Sequence, residues 1–173
     1  MLGLLYEGLE GVTLFNSYKQ RKAILEAIAA APREEPLLLL GHGTPNGLLD
    51  MRYGHVITNA DAELLKDRPN LIGIWCYASS YAYANGLKGF FSGMFISEKP
   101  EAVANGVEAT AKEVDTKVWD FSKRFGELMR ASLPLEEIAA ELMDPRHIDS
   151  DLTRFNYERL VWRPTGTEPQ PLI

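Results

Sequence analysis

Leu37-Leu38-Leu39-Leu40-Gly41-His42-Gly43 and Leu71-Ile72-Gly73-Ile74-Trp75-Cys76 are the two stretches on which the expected fold turns. Four leucines bounded by Pro36 and Gly41 are too few for a helix, so they read as a strand buried on both faces. The run from Gly41 to Gly47 is then a loop at that strand's C-terminal end. The second stretch reads as another buried strand, ending at the cysteine. Between them, Met51–Ile57 reads as a further strand or a short hairpin around Gly54. Thr58-x-x-Asp61 is a capping box that opens a short helix stopping near Pro69.

Upstream, Ser17-x-x-Gln20 is a second capping box. It starts a helix whose face of Tyr18, Leu25 and Ile28, with Ile24 and Ala31 beside it, points inward. Downstream, Ser79 or Ser80 is expected to cap a helix that Gly86 closes. Phe90–Ile96 reads as a third strand, and Pro100 suits the first turn of the next helix. Val107, Ala111, Val114, Val118, Phe121, Phe125 and Leu128 recur in steps of four and three, one apolar helix face that Gly106 divides from what precedes it. That face is either core or a dimer seam. A helix over Pro134–Leu142 and a strand around Phe155–Trp162 follow, and Arg163 to Ile173 reads as a loose tail. Strands alternating with helices indicate an α/β sandwich with a largely parallel sheet, in which ligands gather beyond the carboxyl ends of the strands.

The chain has 173 residues, 46% hydrophobic and 24% charged, which fits one globular domain over residues 1–173 and excludes wholesale disorder. A net charge of −6 argues against nucleic acid as the main partner. No apolar run approaches the roughly 20 residues of a membrane span. Met1–Gly8 has no basic segment before its leucines and contains Glu7, a poor secretory signal, so a cytoplasmic location is expected. One cysteine forms neither an internal disulfide nor a multi-Cys zinc site.

His42 and Cys76 both fall at the ends of expected buried strands. A thiol becomes a good nucleophile beside an imidazolium or a helix N-terminus, and Cys76 stands just before an expected helix. His42 lies between two glycines, which lets the backbone approach a substrate closely. The Gly43 and Cys76 N–H groups would serve a developing oxyanion, where losing one donor typically costs ~3 kcal/mol. Together these parts fit acyl transfer. Taken singly, each has a plainer reading: Cys76 as a small core residue, His42 as a structural or solvated one.

A hydrophobic strand ending in His-Gly, followed by a second ending in Cys, resembles the caspase-like (clan CD) cysteine peptidases, which include metacaspases, gingipains, clostripain, legumain and separase. The resemblance spans about Leu37 to Glu98. It implies a caspase-like three-layer α/β sandwich and endopeptidase chemistry with Cys76 as nucleophile, His42 as proton donor to the leaving amine, and Gly43 and Cys76 as oxyanion donors. It also implies a peptide or protein substrate, no cofactor and no metal. Trp75 stands where the family commonly has a small residue, and Tyr77-Ala78-Ser79-Ser80 replaces the Arg-Gly of caspases. The alternative is a catalytically silent caspase-like module that binds a regulatory protein partner.

Substrate-binding candidates are Asn46, Asp50, Ser97 and Glu98. Asp50 and Glu98 would form an acidic pocket for Arg or Lys at the cleavage site, or else are solvated or capping residues. Ser97 with Glu98-Lys99-Pro100 also reads as a helix start, and Asn46 with Gly47 as turn formers. Other chemistries have less behind them. A mixed metal site of His42, His55, Asp50, Asp61 and the cysteine lacks any His-x-x-x-His or Cys-x-x-Cys spacing. An esterase using Ser79 or Ser80 lacks a Gly-x-Ser-x-Gly elbow. His147, beside Arg146 and Asp149, reads as a surface or capping residue. Tyr77, Tyr81 and Tyr83 read as an aromatic cradle or as helix packing.

Overall fold

The computed structural model describes residues 2–15, 21–50 and 52–167. The capping box Ser17-x-x-Gln20, with Tyr18, lies outside them. The chain divides into two compact units, one of Leu14–Met94 with Val161–Ile173, the other of Met1–Thr13 with Phe95–Leu160, a division that composition does not signal. Among the described residues no helix is long and apolar enough to cross a membrane.

The first unit is built on a four-stranded sheet in the order β1 (Leu37–Leu40), β4 (Leu71–Ile74), β5 (Gly89–Ser92), β6 (Leu160–Arg163). β1 pairs with β4 in parallel, Leu37 with Leu71 through Leu40 with Ile74, and β4 pairs in parallel with β5. The expected α/β class with a largely parallel sheet is thus present. All four residues of β4 are buried, as befits an inner strand with a neighbour on each side. β1 lies at the end of the order, so only Leu39 is fully buried; the expectation of burial on both faces fails because an end strand has a neighbour on one side only.

The expected loop after β1 is instead a hairpin. β2 (His42–Thr44) and β3 (Gly47–Leu49) pair antiparallel, joined by Pro45-Asn46. A bridge from Leu49 to His55 adds a third chain segment, closed by the turn at Asp50–Gly54. Thr58 does form its capping box with Asp61, over a 3-10 helix at Asn59–Leu64. α1 (Arg21–Ala30) turns Ile28 into the core with Ile24 and Leu25 beside it.

Arg68 closes this part of the unit. It is 2% exposed, and its guanidinium donates to the carbonyls of Ile28, Ala31 and Pro32 at the end of α1 and to that of Leu64. A planar five-donor group suits several converging carbonyls, and a cation suits a helix C-terminus.

α2 (Ala78–Asn85) joins β4 to β5 and ends at Gly86, whose φ of +63° provides the left-handed cap. Its N-cap is Tyr77 rather than a serine, and Ser79 and Ser80 lie inside the helix. Arg163, expected to begin a loose tail, is buried: it donates to the Leu87 carbonyl at 2.9 Å and stacks 3.8 Å above the Tyr83 ring.

In the second unit, α3 (Lys99–Ala104) carries Pro100 in its first turn, and Gly106 (φ +69°) separates it from α4 (Ala111–Arg130). Thr110 and Glu113 form the capping box of α4. Val114, Val118, Phe121 and Phe125 are its buried face, with Phe121 in ring contact with Phe95, Phe125 and Tyr157. That face is core; Ala111 is exposed, and Val107 precedes the helix. α5 (Leu135–Leu142) falls where expected. The strand expected around Phe155–Trp162 begins instead as α6 (Asp151–Tyr157), capped by Ser150, and turns extended only at Leu160. Leu152, Thr153, Asn156 and Tyr157 are buried at helical spacing, and Asn156 bonds both the N–H and the carbonyl of Ile96.

Two measurements test this account. Arg68→Ala should lower unfolding stability by about 3 kcal/mol in urea, since buried carbonyls left unmatched cost ~1–3 kcal/mol each and some recover water. Arg68→Lys, a point donor, should restore less than half; full recovery by lysine would show that the fork geometry is irrelevant. Asp61 accepts from Arg21 at 2.6 Å and from both Thr58 groups at 2.8 Å. Burial raises its pKa, but the Thr58 and Arg21 hydrogen bonds outweigh this and hold it below the usual 3.8. Its contribution is therefore complete above pH 3.8 and is lost as pH falls through the depressed folded value. Asp61→Asn should accordingly be less stable than the native chain at neutral pH, with the gap closing below pH 3.8.

Candidate active site

The β1–β4 register determines where His42 and Cys76 stand. Leu40 pairs with Ile74, and the next N–H, of Gly41, donates to the Ile74 carbonyl at 3.1 Å. His42 and Cys76 each come two residues after that last pair, His42 as the first residue of β2 and Cys76 in the segment that follows β4. Both are partly buried. The sheet thus delivers both residues to its carboxyl end.

Cys76 sits in a segment held on each side. The Trp75 carbonyl accepts the Ser92 hydroxyl at 2.8 Å and the Ala78 N–H at 3.1 Å, and the Tyr77 N–H donates to the Gly93 carbonyl at 2.9 Å. Tyr77 has φ +69° and ψ 26°, a left-handed conformation that costs a non-glycine residue about 1–3 kcal/mol. That turn lets the strand pass directly into α2, with Cys76 immediately before the helix N-cap.

Trp75 explains the neighbouring glycines. Its side chain is 2% exposed and lies over Gly43, where a Cβ would be 2.0 Å from the indole Cδ1. A Cβ on Gly73 would lie 2.7 Å from the far edge of the same ring. The indole Nε1 donates to the Thr44 carbonyl at 3.3 Å, and the ring meets Tyr81 edge-on at 5.7 Å. Tyr81 in turn donates its hydroxyl to the Thr58 carbonyl at 2.8 Å, and burial raises its pKa, with Asp61 adding to the shift. The large residue before the cysteine is therefore accommodated by absent side chains at 43 and 73.

The hairpin has two unlike faces. Gly43 opposes Leu48, and both face Trp75 and the core. His42 opposes Leu49, which opposes His55, so these three form a row on the other face. The Leu48 carbonyl turns away from β2 to accept from Val56 and Ile57. The Gly43–Leu48 pair is thus the non-bonded kind, and the Gly43 N–H also points away from β3.

The other candidates have structural duties. Asn46 is an exposed turn residue whose N–H donates to the Thr44 hydroxyl at 3.1 Å. Asp50 accepts the N–H groups of Arg52 and Gly54 at 2.7 and 2.9 Å, which braces the turn it opens. Ser97 and Glu98 belong to the second unit, where the Ser97 N–H and hydroxyl and the Glu98 N–H all donate to Glu101 at the start of α3. Among the described residues no group of three or more His, Cys, Asp or Glu is placed to hold a metal ion. Tyr81 and Tyr83 pack as helix residues, while Tyr77 is 41% exposed. Sequence reasoning noted Trp75 only as an unusually large residue before the cysteine and missed its packing on Gly43 and the Ser92 bond to its carbonyl; the glycines at 43 and 73 were the available signal.

Gly43→Ala should cost about 1–3 kcal/mol through overpacking against the indole. In a double-mutant cycle, Trp75→Leu should relieve at least ~1 kcal/mol of that cost. Additive effects in urea unfolding would refute the steric coupling. No protein-family model, curated protein or solved structure matches this chain.

Proposed function

We propose that this protein is a cysteine-dependent hydrolase of peptide bonds, with Cys76 as nucleophile and His42 as acid and base. The observation that supports the reading is that β1 and β4 end together at Leu40 and Ile74, with His42 and Cys76 each two residues further along the chain. The position of Cys76 before the N-terminus of α2 adds support, because helix N–H groups favour a thiolate. The resemblance to caspase-like peptidases rests on these same residues.

In the reaction, the Cys76 thiolate attacks the scissile carbonyl carbon, and the carbonyl π electrons move to oxygen. The Gly43 and Cys76 N–H groups receive that oxyanion. Its collapse breaks the C–N bond while His42 protonates the departing amine, leaving a thioester. His42 then takes a proton from water as the water's oxygen attacks the thioester, releasing the product as a carboxylic acid that ionises in solvent and restoring the thiolate beside a protonated His42.

The test uses the single cysteine of the chain, so alkylation by iodoacetamide reports on Cys76 alone. The alkylation profile should have its midpoint below the ~8.5 of a free thiol, and His42→Ala should move it upward. Cys76→Ala should abolish turnover in a fluorogenic peptide screen while leaving thermal unfolding unchanged within about 2 °C, an effect below ~1 kcal/mol for a chain of this length. A thiol that reacts slowly and ignores His42 would instead favour a silent module that binds a protein partner.

A further inference from the structure

We infer that Trp75 is a positioning residue that sets the placement of His42 relative to Cys76. The inference rests on the proposed pairing of those two residues and extends it to a third. The main-chain ladder between β1 and β4 reaches the Gly41 N–H bond to Ile74. Just beyond it, one rigid side chain links the segment after β4 to β2: Trp75 is bonded to Cys76, its ring lies on Gly43 beside His42, and its Nε1–H donates to the Thr44 carbonyl.

The ring is itself held from behind. Ser92 and Ala78 tie the Trp75 carbonyl, Tyr81 meets the indole edge-on, and Gly73 gives it room. A close-packed interior passes small displacements on rather than absorbing them. A change at the indole is therefore passed to β2, and with it to His42. A small residue at 75 would leave the faces of Gly43 and Gly73 without a filler, so ring and glycines act as a set.

Trp75→Phe tests this, because it keeps an aromatic ring on Gly43 and removes the hydrogen bond to Thr44. In the full chain, iodoacetamide alkylation of Cys76 near pH 7 should slow about three- to tenfold, the loss expected from one such bond. Its pH midpoint should move towards that of His42→Ala. In a His42→Ala background the same substitution should change the rate less than about twofold, since the effect runs through the histidine. Equal slowing in both backgrounds would mean that Trp75 merely shapes the thiol's surroundings, and overturns the inference.

A second readout does not depend on reactivity. The His42 ring resonance, assigned by its loss in His42→Ala, should shift in Trp75→Phe and in Gly43→Ala, with that of His147 unmoved. An unmoved His42 resonance in either folded variant overturns the inference whatever the thiol does. Alkylation that ignores His42 in the native chain, with the resonance shifting as expected, would remove the peptidase reading and leave the positioning role standing.

Discussion

The pairing of Leu40 with Ile74 is the constraint from which the rest of the candidate site follows. Two parallel strands that end together release the chain that follows at the same edge of the sheet, and here His42 and Cys76 each come two residues beyond that edge. Everything else nearby keeps that release in order. Gly41 continues the ladder by one bond, the left-handed Tyr77 turns the chain into α2, and Ser92 at the end of β5 ties down the carbonyl of Trp75. Three strands therefore contribute to the placement of one sulfur atom.

Buried arginine serves this unit twice by gathering main-chain carbonyls. Arg68 gathers carbonyls at the end of α1, and Arg163 joins β6 to the carbonyls of Leu87 and Gly166. Carbonyl oxygens at helix ends and turns carry partial negative charge and are short of donors, so a guanidinium satisfies several at once. This device keeps the chain ends of α1 and α2 closed where a short helix offers few internal bonds.

Legibility in the sequence varied with how local the deciding force was. The strands at Leu37–Leu40 and Leu71–Ile74, the Thr58–Asp61 box, the Gly86 cap and the face of Val114, Val118, Phe121 and Phe125 were all readable, because each depends on residues within a few positions. The hairpin at His42–Leu49 was not, since two glycines and a proline read equally well as loop, and its pairing is completed by His55. The strand expected around Phe155–Trp162 holds the aromatic Phe155, Tyr157 and Trp162, a preference overridden over Asp151–Tyr157 by the Ser150 cap and by the fit of Asn156 to Ile96.

The sequence by itself determined the strands at Leu37–Leu40 and Leu71–Ile74, the Thr58 and Gly86 caps and the candidacy of His42 and Cys76, because local patterning and chemical type need no partner to be recognised. Only the tertiary structure decided that β1 is an end strand, that Arg68 and Arg163 lie inside, and that Asp50 braces a turn. It alone also decided that Trp75 fills the space left by Gly43 and Gly73. Each of these depends on atoms far apart in the chain meeting at van der Waals or hydrogen-bond distance, which no window of sequence contains.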